Sequence, residues 1–165
     1  VSNRAAWNVL ALNYPYTDIF GDTRWWTGFQ LFTKCNRNRQ SLGLPIIEPA
    51  PLAFSVQNPG VIYLSYVAGP PERLDVITST LPLPTEGVII KALRPLSQGI
   101  TIPPNSWKRI TSYYPPPAQP WDILPAYTAR FGDPTSEDKI FVTIHFVEAA
   151  TGWAGADAYE GIIWP

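Results

Sequence analysis

The 165-residue sequence has no methionine, a single cysteine and a single histidine. With Cys35 as the only thiol, no disulfide can form within the chain. A zinc site made from Cys and His side chains needs three or four such ligands, and one chain supplies only Cys35 and His145. The composition therefore excludes a disulfide scaffold and a structural zinc of this type, and we expect no metal and no cofactor.

Sequence motifs of common enzyme classes are also absent. There is no G-x-S-x-G turn, no P-loop, no G-x-G-x-x-G and no H-E-x-x-H. A hydrolytic histidine needs a nucleophile and an orienting acid beside it, and the sequence gives no sign of either near His145. We expect His145 at the surface or beneath a loop, and Cys35 buried on the apolar stripe of a helix. The sequence predicts a non-enzymatic protein without catalytic residues.

Charge is scarce, at 15% of residues, and the net charge is −1. Nucleic-acid binding draws on a surplus of cations, so the net charge argues against a nucleic-acid partner. No apolar run reaches the length of a transmembrane helix, which argues against membrane insertion. The charge is uneven, because residues 1–48 carry five basic and three acidic residues, whereas residues 133–165 carry one basic and six acidic residues. Ordinary surface charge is the simpler interpretation of this asymmetry, and attraction between copies of the chain is the alternative.

Proline and aromatic residues are abundant, with 19 Pro, seven Trp, eight Tyr and seven Phe. Proline breaks helix interiors, so an all-helical fold is excluded. Residues 1–45 nevertheless carry helix signals. A first helix is predicted over 4–12, two extended pieces surround a turn at 21–22, and a second helix follows Thr27, with its apolar residues at helical spacing.

Residues 46–165 have the period of two that is typical of strands. About seven strands are predicted, the first over 52–57, and the clearest is KIFVTIHFVEA. There Ile140, Val142, Ile144 and Phe146 share one apolar face. One short helical insertion is expected within WDILPAYTARFGD. The fold class is therefore mainly β: an antiparallel β-sandwich over 46–165, preceded by a small N-terminal α/β element over 1–45.

The segment KIFVTIHFVEAATGW resembles the penultimate strand and the following loop of a fibronectin type III-like or immunoglobulin-like module. The N-terminal pieces AWNVLALNYP, TDIFGDT and TGFQLFTKCNRNR are similar to parts of uncharacterised bacterial and phage-associated structural proteins. The resemblance implies a spacer, adhesin or assembly role and carries no catalytic residues. A viral jelly roll is the alternative sandwich.

Low charge with many aromatic residues is typical of a surface that is buried against partners. The expected function is that of a structural or assembly subunit of a virion or an extracellular assembly, binding other copies of itself or other structural proteins. A carbohydrate-binding module that stacks sugars on exposed Trp and Tyr is the alternative. We expect residues 1–45 to dock on another copy. The predicted interface residues are Trp7, Trp25, Trp26, Lys34, Arg37, Arg39, Trp153 and Trp164.

Overall fold

A computed structural model of the chain describes residues 3–18 and 20–165. The described residues form a mainly β fold with antiparallel sheets and three helices. In chain order the elements are α1 (Asn3–Ala11), β1 (Pro15–Thr17), β2 (Thr23–Trp25), α2 (Gly28–Ser41), β3 (Ile62–Val67), β4 (Arg73–Thr78), β5 (Glu86–Ala92), β6 (Leu96–Ser97), β7 (Lys108–Tyr113), β8 (Trp121–Asp122), α3 (Leu124–Phe131), β9 (Asp138–Glu148) and β10 (Ala158–Ile163).

The predicted N-terminal elements are confirmed. Strands β1 and β2 pair as an antiparallel hairpin around the turn at 21–22. Helix α2 begins with a capping box, because the Thr27 hydroxyl accepts from the Gln30 backbone N–H while the Gln30 side chain accepts from the Thr27 N–H. Gly28 allows α1 and α2 to touch, since a β-carbon there would collide with Asn8. Trp7, Leu31 and other apolar side chains fill the space between the two helices.

Two antiparallel sheets form the rest of the molecule. The larger sheet has the strand order β10-β9-β5-β7, with β6 also pairing with β9, and the smaller sheet has the order β3-β4-β8. The main core lies between the sheets, where Ile140, Val142, Ile144 and Phe146 are all fully buried. The apolar face predicted for this strand is therefore confirmed. Helix α3, the predicted insertion, adds Leu124 and Tyr127 to the core.

The opposite face of the larger sheet, here called the outer face, is partly covered by α2. Leu42 packs on Ile89 and Val147, and the Arg39 guanidinium donates to the carbonyls of Ala149 and Ala150. Gly152 allows the turn after β9 to reach α2, since its φ is +77° and a β-carbon would collide with the Cys35 carbonyl. These contacts seat residues 1–45 on the sheet of their own chain, and the expectation that the element also docks on another copy stays a prediction.

Residues 43–61 contain no helix or strand. The strand predicted over 52–57 is absent: Phe54 packs against the N-terminal helices, Val56 packs against the main core and Leu52 is exposed, and the segment pairs with no strand in the described residues. Phe54 stacks on Trp153 with ring centroids 4.5 Å apart, and Trp7 donates its indole N–H to the Glu48 carbonyl. Among the described residues, no helix has the length and apolar character needed to cross a membrane.

Candidate functional site

The outer face of the larger sheet is covered by α2 at one end and open at the other. At the open end a groove of about 1220 Å³ lies between α2, the outer face and residues 105–109. Its floor includes Ile89, Lys91 and His145, which are contributed by β5 and β9.

Half of the chain's 12 basic residues line this groove. Three aromatic rings line it too, those of Trp26, Phe29 and Trp107, while Asp157 is its only carboxylate among the described residues. We call this site the basic groove and define it by its six cations: Lys34, Arg37, Lys91, Lys108, Arg109 and Arg130.

The six cations of the basic groove have no carboxylate partners at close range. Within residues 3–18 and 20–165, ion pairs to carboxylates within 4.0 Å involve Arg24, Arg73 and His145 instead. Lys91 and Arg109 are directly opposite one another in the pairing of β5 with β7. Like charges in that position repel, so the strand pairing holds two cations together without a counter-ion.

Lys34 is held in place by aromatic rings. Its ammonium group lies 4.7 Å from the ring centroids of both Trp26 and Trp153, which is within the range of a cation–π contact. Burial lowers the pKa of Lys34; the neighbouring Cys35 and Asp157 oppose this to a smaller extent, and the positive charge of Lys91 adds the smallest lowering. The lysine is therefore fixed as part of the groove wall rather than extended into solvent.

The histidine and the carboxylate of the groove lie together. Nδ1 of His145 is 3.0 Å from Oδ1 of Asp157, and the imidazole is buried whereas the carboxylate is half-exposed. Burial alone would raise the pKa of Asp157, but the close approach of His145, with further help from the charges of Lys91 and Lys34, lowers it. Asp157 therefore stays ionised and offsets part of the positive charge of the groove.

The predicted interface residues fall into three groups. The first group, Trp7, Arg39 and Trp164, is buried within the chain and therefore does not form an exposed interface as predicted. The two tryptophans pack in the hydrophobic cores, and the Arg39 side chain donates to backbone carbonyls. Trp26 and Trp153 are half-buried beside Lys34, and Arg37 lies at the edge of the same groove. Among the seven tryptophans only Trp25 is exposed, at 56%.

Cys35 and His145, the two side chains with possible reactivity in hydrolysis, are both buried. Cys35 is buried on the apolar side of α2, as expected, and burial raises the pKa of its thiol to about 12. His145 is buried beside Asp157 rather than at the surface; the loop before β10, which carries Asp157, lies against it, in line with the alternative that a loop covers it. In the part of the chain that the structure describes, no three His, Cys, Asp or Glu side chains gather into a metal-binding group.

A second surface, which we call the apolar surface, consists of large side chains that the N-terminal element leaves in solvent. Phe20 is 83% exposed and Phe29 is 76% exposed, and a hollow of about 630 Å³ between the starts of α1 and α2 adjoins Phe29. The members of the apolar surface are Val9, Leu12, Phe20, Trp25 and Phe29.

No protein-family model matches this chain, and neither the curated proteins nor the solved structures contain a significant match to it.

Sequence reasoning did not find the basic groove. Its cations come from four separate parts of the chain: α2, β5, the start of β7 and the end of α3. Only the first of these, around Lys34 and Arg37, forms a visible basic run in the sequence. The remaining signal was Lys91, a charged residue within the apolar run GVIIKAL, where a buried strand would be expected to carry only apolar side chains.

Proposed function

We propose that the protein is a non-enzymatic assembly subunit that binds a second copy of itself through the apolar surface. The observation that carries this proposal is the exposure of Phe20 and Trp25 on one short hairpin. Neither ring is covered by the protein's own sheets, although the adjoining Tyr16 and Trp26 pack together at 4.4 Å. Covering them with a partner would remove apolar area from water, at about 25 cal/mol per Å².

Charge complementarity supports a second copy as the partner. Residues 1–48 carry a formal charge of +2 and residues 133–165 one of −5. Several acids of the second segment, among them Asp133, Glu137 and Glu160, are exposed. Each copy thus carries a basic, aromatic region and an acidic one, and association that joins unlike regions of two copies weakens as salt is added.

Within this proposal the sandwich is of the immunoglobulin-like or fibronectin type III-like kind. Lettering the strands in chain order, with β7 as C′, β6 omitted and no strand D among the described elements, gives sheets A-B-E and G-F-C-C′. In immunoglobulin-like sandwiches the G, F and C strands adjoin in one sheet, and C′ extends it beyond C. This order supports the immunoglobulin-like alternative over the jelly roll. A virion or an extracellular assembly remains the proposed setting.

The glycan-binding alternative has less support. A sugar-binding platform needs flat rings open to solvent, and Trp25 is the one tryptophan that offers such a face in the described residues. The polar groups of Asp18, Asp22 and Arg24 lie nearby but bind one another.

Sedimentation velocity of the full chain across the micromolar range tests the proposal. We expect wild type to form larger species as its concentration rises. The double variant Phe20→Ser/Trp25→Ser should weaken this association by about tenfold or more, since aromatic residues carry much of the free energy of interfaces.

A matched control replaces two equally exposed apolar residues outside the N-terminal element. Leu52 and Ile102 are 101% and 80% exposed, so Leu52→Ser/Ile102→Ser removes comparable apolar surface. Association should be unchanged in this control. A wild-type chain that stays monomeric throughout, or a control that loses as much association as the test variant, would contradict the proposal.

A further inference from the structure

The basic groove is a second site, which shares Phe29 with the apolar surface but none of the cations that define it. It lies on the outer face of the sheet, whereas Phe20 and Trp25 of the apolar surface lie on the hairpin of β1 and β2. At about 1220 Å³ it exceeds the roughly 300–1,000 Å³ of typical small-molecule sites. A groove of this size fits a length of polymer better than one small ligand.

The arrangement of charge in the groove indicates an anionic ligand. Six cations face it and one carboxylate, Asp157, offsets them. Within residues 3–18 and 20–165 none of the six side chains donates a hydrogen bond, and none has a carboxylate within 4.0 Å. The opposed pair Lys91 and Arg109 repel each other across two paired strands. A bound anion would relieve that repulsion.

The aromatic residues of the groove narrow the class of anion. Trp107 is half-buried, so part of its ring is fixed in the wall and part is accessible, whereas Tyr16 and the Lys34 ammonium already pack on the ring of Trp26. Trp107 packs beside Tyr159, with the ring centroids 6.4 Å apart. Proteins that bind single-stranded nucleic acid combine a cationic groove along the phosphates with aromatic rings on which bases stack.

We propose that the basic groove binds single-stranded nucleic acid, with phosphates against Lys91, Arg109 and the other exposed cations of the groove, and a base against Trp107. Double-stranded nucleic acid is a weaker candidate, because its bases stack on each other and are not free to stack on Trp107. The net charge of −1 does not oppose binding, since half of the cations lie in this one groove.

Fluorescence anisotropy with a labelled single-stranded oligothymidylate of about ten nucleotides tests the proposal. Titrations at about 50 mM and about 200 mM salt give both the affinity and its salt dependence. The variant Lys91→Gln/Arg109→Gln should lose affinity by about tenfold and lower the slope of log K against log salt by about 1.4, or about 0.7 for each phosphate contact. Its melting temperature should not fall, because the substitution removes two opposed like charges.

A matched control removes the same charge elsewhere. Arg4 and Arg94 are exposed and lie outside the basic groove, so Arg4→Gln/Arg94→Gln should leave the affinity within about twofold of wild type and the slope unchanged. If wild type binds no oligonucleotide at the lower salt, or the control loses as much affinity as the groove variant, the proposal is overturned.

A second comparison separates nucleic acid from other polyanions. Inorganic polyphosphate carries phosphates but no bases. Trp107→Ala should weaken the binding of oligothymidylate by roughly 5- to 150-fold, the range for losing one stacked base, and leave polyphosphate binding unchanged. Equal loss for both ligands, or heparin binding that exceeds oligonucleotide binding and depends equally on Trp107, would show that the groove does not read bases. A folding defect in Trp107→Ala would appear in its melting curve, and the Lys91/Arg109 comparison then decides the outcome.

Discussion

The two faces of the larger sheet are built in different ways. The inner face is continuous, since Ile140, Val142, Ile144 and Phe146 alternate along β9 and pack against the smaller sheet. The outer face of the same strand carries Phe141, Thr143, His145 and Val147, and chain segments from outside the sheet cover it unevenly. One face serves stability alone, whereas the other combines a docked helix with an open, charged groove.

The two faces should differ most in how much stability is lost when an aspartate is introduced on each. Val142→Asp buries an unpaired carboxylate in the main core and should cost about 5 kcal/mol or more, enough to abolish soluble folding. Ile163→Asp is the control, because Ile163 is 49% exposed, and it should change stability by only about 0.5 kcal/mol. Soluble expression and thermal melting measure both effects; normal melting of Val142→Asp would show that the inner face is wrongly assigned.

The docking of α2 on the outer face depends on Gly152. Gly152→Ala adds backbone strain at a positive φ and a collision with the Cys35 carbonyl, which together should cost about 3 kcal/mol. Gly43→Ala has the same strain but open space around it and should cost about 1 kcal/mol, whereas Gly99→Ala has neither and should be near neutral. Chemical denaturation measures all three. Equal effects at Gly152 and Gly43 would mean that α2 does not approach the turn closely.

The reactivity of the Cys35 thiol tests whether α2 stays docked on the outer face. With its pKa raised to about 12, roughly one thiol in ten thousand is ionised at pH 8. Alkylation of the native protein should therefore be about a thousandfold slower than in denaturant. Folding keeps the thiol protonated, so this group stabilises the fold below pH 9 and its contribution is lost as pH rises further. Fast alkylation at pH 8 without denaturant would show that α2 opens readily.

The inner face could be predicted from the sequence because the pattern that marks it lies within single strands. A period of two along β9 and β3 identifies the buried residues, and the capping residue Thr27 with the apolar spacing after it locates α2. No such pattern marks the outer face, because its cations are contributed by four segments that only the tertiary fold brings together. The burial of Arg39 was missed for a similar reason: a basic residue in the last turn of a helix is usually solvated, and its carbonyl partners are 110 residues away in the chain.

The central claim is that the outer face binds single-stranded nucleic acid, whereas the inner face contributes only to the stability of the fold. The shift of melting temperature on adding oligothymidylate tests this claim most directly. At about 100 times the dissociation constant, binding adds about 2.7 kcal/mol, or about 5–10 °C for a chain of this size. We predict that shift for wild type and a much smaller one for Lys91→Gln/Arg109→Gln at the same oligonucleotide concentration. No shift in wild type, or the same shift in both proteins, would contradict the account.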